Sequence, residues 1–123
     1  MDTMKIYKTR PFMKWAKKEG ISDQDLRSVI GDMEKGQIVA SLGGRLYKQR
    51  VALGKGKRGG ARVIVAFVAD DRSFFIYGFS KNETENITPK ELDALKAFAK
   101  QLLLYSETQI KEAIKVGELY EIT

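Results

Sequence analysis

Cysteine and histidine are both absent from this chain of 123 residues. Without cysteine there are no disulfides and no thiolate metal sites, and export to an oxidising compartment is disfavoured. Without histidine the commonest metal ligand and the usual acid–base catalyst near neutral pH are both missing. No metal and no cofactor are expected. An enzyme built from this sequence has to work with Lys, Arg, Tyr, Asp or Glu. Long apolar runs are missing too, and none reaches the length of a membrane span. The opening Met1-Asp2-Thr3-Met4-Lys5 lacks the hydrophobic stretch of a signal peptide, so a cytoplasmic protein is expected.

Acid is missing where base is richest. Between Arg45 and Arg62 stand seven basic residues (Arg45, Lys48, Arg50, Lys55, Lys57, Arg58 and Arg62) and no Asp or Glu. The formal net charge of +6 is therefore unevenly placed: residues 1–82 carry 17 Lys or Arg against 8 acids, and residues 83–123 carry 5 against 8. A one-signed segment of this kind focuses positive potential and attracts phosphate, so contact with nucleic acid is expected.

What is present is ordinary globular composition, 43% hydrophobic and 31% charged, which excludes disordered and fibrous classes. The length suits one domain over residues 1–123 with a sizeable core. Met4 to Lys8 alternates as a short strand. Pro11 suits a first helical turn, Phe12, Trp15 and Ala16 share one helix face, and Gly20 ends the helix. Ser22 and Asp25 suit the start of a second helix with Leu26, Val29, Ile30 and Met33 as its apolar stripe. The two make an αα-hairpin.

Residues 45–52 alternate again, with Tyr47, Gln49 and Val51 on one face and Leu46, Lys48 and Arg50 on the other. Four glycines between Gly54 and Gly60 make a basic loop. Residues 62–69 read as a central strand, Asp70 to Ser73 as a tight turn and residues 74–80 as an aromatic strand. Three antiparallel strands in meander order result. Thr88-Pro89-Lys90-Glu91 is a helix start with a closed capping box, and Leu92, Leu95, Phe98, Ala99, Leu102 and Leu103 form a stripe that should cover the sheet. Ser106 caps a further helix bearing Ile110, Ala113 and Ile114. Gly117 stops it, and Leu119 to Ile122 reads as a tail strand. Trp15, Phe12 and Phe98 are expected in the core.

Gly54, Gly56 and Gly59 match the dinucleotide fingerprint literally. That fingerprint requires a strand before it and a helix after it, whereas this loop joins two strands. The loop fits better as a clamp on a phosphodiester backbone, its glycines permitting close approach while Lys55, Lys57 and Arg58 supply charge. Lys48 and Arg50 share a strand face, Arg62 heads the next strand across the loop, and Lys81 ends the strand after that. If the meander pairs in order, these four converge. Arg62 at the head of an apolar run calls for a partner or a ligand. Phe75, Tyr77 and Phe79 are read as one strand face shared with Lys81, with Tyr77 and Phe79 as stacking surfaces for unpaired RNA bases.

These residues resemble the RelE/ParE superfamily of type II toxin–antitoxin toxins. The stretch from Leu46 through Arg50, the run Lys55-Gly56-Lys57-Arg58-Gly59-Gly60-Ala61-Arg62, and Gly78-Phe79-Ser80-Lys81 are similar to its HigB-like branch, and residues 106–123 look like that branch's C-terminal helix and tail. The resemblance implies an α+β fold with an N-terminal strand and αα-hairpin packed on a small antiparallel sheet, followed by C-terminal helices. It implies a ribosome-dependent mRNA endonuclease acting in the A site of the small subunit. It also implies a cognate antitoxin of helix-turn-helix type. By the resemblance Lys48, Arg50, Arg62 and Lys81 are catalytic; from the basic run and the aromatic strand, Arg45, Lys55, Lys57, Arg58, Tyr77 and Phe79 are expected to contact RNA. RNA brings its own nucleophile, the 2′-hydroxyl, so the protein needs to supply only a base, charge stabilisation and a proton for the leaving oxygen. A C-terminal catalytic tyrosine of the best-studied branch has no clear counterpart, because the residues after Lys81 lead straight to the capped helix. Two alternatives stand beside this reading: a non-enzymatic ParE-like toxin acting on DNA gyrase, and an inactive nucleic-acid-binding relative.

Overall fold

Thr9 ends the first strand and starts the first helix. In the structure, a computed structural model that describes residues 4–51, 60–80 and 87–122, it closes β1 (Lys5–Thr9) and caps α1 (Arg10–Glu19). Its Oγ1 accepts a hydrogen bond from the Phe12 amide at 3.4 Å. Gly20 closes α1 in the left-handed conformation, φ 75°, where a glycine costs least. Ser22 and Asp25 then open α2 (Asp23–Glu34) with reciprocal hydrogen bonds of 3.1 and 2.9 Å.

The strands follow as β2 (Ala40–Gly43), β3 (Leu46–Val51), β4 (Ala61–Val68) and β5 (Arg72–Ser80). Thr88 and Glu91 box the start of α3 (Pro89–Leu103), and Ser106 and Gln109 do the same for α4 (Glu107–Lys115). The last element is β6 (Leu119–Ile122).

The expected meander is there as β3-β4-β5, and the tail strand pairs antiparallel with β1. The sheet is nevertheless larger than the small antiparallel one expected. It has six strands in the order β2-β3-β4-β5-β1-β6, and β1 runs parallel to β5, so the sheet is mixed. β2 has no local signature, because Ala40-Ser41-Leu42-Gly43 is short and carries no run of β-branched or aromatic residues. Its place is set from outside by Gln49. That buried side chain accepts from the Val39 amide at 2.8 Å and donates to the Gln37 carbonyl at 3.2 Å, fastening the approach to β2 along β3.

Helices cover both faces. Phe12, Ala16, Leu26, Val29 and Ile30 from α1 and α2 pack with Val51, Val63, Val65 and Phe75. On the other face Ala99, Leu102, Ile110 and Ala113 from α3 and α4 pack with Tyr7, Leu46, Ile64, Ala66 and Phe74. This is why β4 is apolar without alternation: a strand buried on both sides has no wet face to mark. Phe98, expected in the core, stands 38% exposed on α3, because Ala99 and Leu102 take the positions that face the sheet.

A bulge between β4 and β5 corrects another expectation. Ile64 pairs with Tyr77 but Val65 pairs with Phe75, which leaves Ile76 as the extra residue. The alternation of β5 therefore slips by one. Phe75 packs with α1 and α2, Phe79 packs on the opposite side, and the two do not share a face.

Candidate functional site

The pleat and the register place the basic residues of β3 and β4 together. Lys48 pairs with Ile64, and Ile64 pairs in turn with Tyr77, so these three form one row across the sheet. The next row is Arg50, Arg62 and Phe79. Ile64 and Phe79 belong to the core on the α3 side, so both rows lie on that face. The register thereby sets Lys48, Arg50, Arg62 and Tyr77 on one face, with Lys48 and Arg62 half-buried, Tyr77 43% exposed, and Arg50 exposed at the sheet's rim, where it also borders a cleft that Asp25 and Asp32 of α2 line.

Residues directly opposite in an antiparallel pair have Cα atoms roughly 5 Å apart, and like charges so placed destabilise the sheet. Arg50 opposite Arg62 is such a pair. A phosphate lying between the two strands at this row would be attracted by both guanidinium groups.

The remaining expected residues divide three ways. Phe79 is only 4% exposed and its ring, 6.1 Å from that of Tyr77, belongs to the core, so it presents no free face for a base. Arg45 is not with the others. It sits in the β2–β3 turn with φ 63°, at the far end of β3 from Arg50, and its carbonyl accepts from the Phe67 amide at 3.0 Å. There it borders a cleft lined also by Lys96, Lys100, Leu103 and Leu104. Lys96 and Lys100 are additions to the expected set; their i, i+4 spacing on one helix is the signal that the sequence offers for them. Lys55, Lys57, Arg58 and Lys81 lie outside the described residues.

Two clefts meet at Tyr77. One is lined by Pro11, Phe12, Trp15 and the strand from Ile76 to Phe79. The other, about 210 Å³, lies between Tyr77 and the start of α3, with Ile87, Glu91, Ala94 and Leu95 as its walls. Among the described residues no group of three or more His, Cys, Asp or Glu side chains is placed to hold a metal ion. Nor is any described helix long and apolar enough to cross a membrane.

The face thus offers the cations of Lys48, Arg50 and Arg62, a phenol and an apolar cleft, which together suit binding of an anionic polymer and stabilisation of negative charge formed on it. A family model described as the RelE toxin of the RelE / RelB toxin–antitoxin system matches residues 4–122.

Proposed function

The chain belongs to the RelE toxin family of RelE/RelB toxin–antitoxin systems, and from that premise we propose that it is a ribosome-dependent mRNA endonuclease that stops translation. The observation that carries this reading is the register that brings Lys48, Arg50 and Arg62 onto one sheet face, with two arginines directly opposed. A toxin acting through protein contact alone has no need of converging cations.

In the reaction, the 2′-hydroxyl of the substrate attacks the adjacent phosphorus while the bond to the 5′ oxygen breaks. The products are a 2′,3′-cyclic phosphate and a free 5′-hydroxyl. Arg50 and Arg62 hold the non-bridging oxygens and take up the charge that grows on them in the phosphorane. Lys48, at the neighbouring row, is the base for the 2′-hydroxyl proton. Tyr77 lies in that same row and supplies the phenol that protonates the departing oxygen. Lys81, Lys55, Lys57 and Arg58 extend the cationic surface in this reading on the strength of the sequence alone, as does assignment to the HigB-like branch.

The partner is an antitoxin, of helix-turn-helix type in that branch, and the place of action is the cytoplasm. An acidic antitoxin segment laid over the Lys48–Arg50–Arg62 face would both neutralise it and block access to RNA.

The test is cleavage of a defined mRNA on stalled ribosomes, with the new ends mapped and their chemistry determined. Cyclic phosphate ends that appear only with ribosomes and vanish in Arg62→Ala support the reading. Growth inhibition with intact mRNA would replace it with the gyrase-directed alternative.

A further inference from the structure

Among the described helices, α1 alone has a wet face charged with a single sign. Its exposed charged residues are Arg10, Lys14, Lys17 and Lys18, whereas α2, α3 and α4 each expose both acids and bases. Glu19, the one acid of α1, is half-buried. Lys14, Lys17 and Lys18 are spaced by three and four residues, so they stand together on the side of the helix away from the buried Phe12 and Ala16. They have no ion-pair partner among the described residues, and Asp23 of the neighbouring helix pairs instead with Lys8 of β1 at 2.6 Å. Arg10 stands apart from them in one respect. Its amide donates to the Glu118 carbonyl at 3.1 Å, which brings that exposed acid close.

The path of α1 ties this face to the Lys48–Arg50–Arg62 face. Thr9 Oγ1 donates to the Phe75 carbonyl at 3.4 Å where the helix starts, and Trp15 lies over Gly78, so α1 follows β5 toward its C-terminal end. Lys18, one turn beyond Trp15, continues toward the row that holds Phe79, Arg62 and Arg50. The two cationic faces lie on opposite sides of the sheet, and an open edge joins them. β1 pairs with β5 only as far as Phe75, so no described strand lies beside Ile76 to Phe79 on that side. The cleft between this edge and α1, about 460 Å³, has Trp15 and Tyr77 in its walls. Tyr77 also lines the cleft on the α3 side. A chain lying on Lys48 and Arg62 can therefore pass Tyr77, cross the edge of β5 and reach the lysines of α1.

Resting on the endonuclease reading, we infer that the open edge of β5 and the wet face of α1 form a track for single-stranded substrate RNA flanking the cut. Lys14, Lys17 and Lys18 meet its backbone phosphates, and an unpaired base enters the cleft beside Trp15. Cations next to half-exposed aromatic rings suit a single strand, whose bases are free to stack. A paired helix hides its bases and would leave the cleft unused. An acidic protein segment would satisfy the lysines but not the continuity with the Lys48–Arg50–Arg62 face.

The test uses labelled 2′-O-methyl RNA nonamers, which lack the attacking hydroxyl and stay intact. They are titrated against the protein by fluorescence anisotropy across a salt series. Changing Lys14, Lys17 and Lys18 together to Gln should lower the slope of log affinity against log salt by about 2, at roughly 0.7 for each single-strand phosphate contact. Thermal melting should stay unchanged, and Arg at the same three positions should restore the slope. A photoactivatable thiouridine in the nonamer should cross-link to the α1 peptide that contains Trp15, and pairing the nonamer with its complement should abolish this. An unchanged slope in the folded Gln variant overturns the track, as does no measurable binding of the nonamer. Duplex that cross-links to α1 as well as the single strand also overturns it. A protein that shows the slope change yet leaves mRNA uncut on ribosomes loses the endonuclease reading and keeps an RNA track. One that cuts mRNA with the slope unchanged keeps the reading and loses the track.

Discussion

The indole ring of Trp15 occupies the space over Gly78 in which any side chain would stand: a Cβ built on that glycine overlaps the ring itself. Trp15 is on α1 and Gly78 on β5, so this contact seats the helix on the strand that carries Tyr77. Gly78→Ala must displace the ring or bend the strand, and overpacking of this kind costs about 2 kcal/mol. In a Trp15→Leu background the methyl group has room. Urea denaturation of both single variants and the double should therefore give a coupling of about 1 kcal/mol or more. Additive losses would mean that the ring is not what Gly78 accommodates.

Much of this architecture is legible in the sequence, for identifiable reasons. Helix starts are written locally, in Ser22 with Asp25, Thr88 with Glu91 and Ser106 with Gln109, and all three capping boxes form. The alternation of β3 separates Lys48 and Arg50 from Tyr47 and Gln49 without further information. What escapes the sequence is non-local. β2 depends on the Gln49 side chain, the parallel pairing of β1 with β5 depends on tertiary contacts, and the bulge at Ile76 depends on how two strands meet. That bulge decides the site. Straight alternation would put Phe75, Tyr77 and Phe79 on one face, whereas the slip sends Phe75 to one core, Phe79 to the other, and leaves Tyr77 as the exposed ring. The convergence of Lys48, Arg50 and Arg62 needs only the meander, which is why alternation and strand order suffice to anticipate it.

Opposing Arg50 and Arg62 sets activity against stability. Arg50→Thr removes one like charge from the pair and adds a β-branched residue to the strand. It should raise stability by roughly 0.5 kcal/mol in chemical denaturation, since like charges directly opposite are destabilising by amounts of this order. The same variant should lose most of its growth inhibition on induction. A protein that becomes less stable yet stays toxic would show that Arg50 serves the fold.

Burial dominates the titration of Tyr7. Its phenol is pushed above the ordinary value of 10.0 first by burial and then by Glu121 and Glu107, while its ring stacks on Phe74 with centroids 5.2 Å apart. The folded form thus holds the proton more tightly than the unfolded chain does. The stabilisation is complete below the unfolded value and is lost as pH rises through the folded one. Stability should therefore fall on the alkaline side of pH 10.0, and Tyr7→Phe should make that fall shallower. Denaturation midpoints at pH 8, 10 and 11, on an approximate grid chosen to span the shift, provide the check; identical slopes in the two proteins would remove Tyr7 as the cause.

Arg45 separates attraction for RNA from catalysis. It holds φ 63° at the end of a turn in which Gly43 and Gly44 are also left-handed, a conformation that costs a residue bearing a Cβ about 1–2 kcal/mol. Glycine would be released from that cost but would gain freedom in the unfolded chain, which takes back roughly 0.5–1 kcal/mol. Arg45→Gly should therefore leave stability unchanged or slightly higher. The arginine sits with Lys96 and Lys100 around a cleft at the opposite end of β3 from Arg50, so the substitution leaves the Lys48–Arg50–Arg62 face in place. If this second cluster meets phosphate, removing one cation–phosphate pair lowers the slope of log affinity against log salt by about 0.7 for single-stranded RNA and somewhat more for a duplex. Arg45→Gly should lower it by about one such step, and Arg45→Gly with Lys100→Gln by about two. Binding to ribosomes across a salt series, with melting measured on the same samples, decides the matter. An unchanged slope in a folded double variant would mean that the cations of this cleft lie in solvent and take no part in holding RNA.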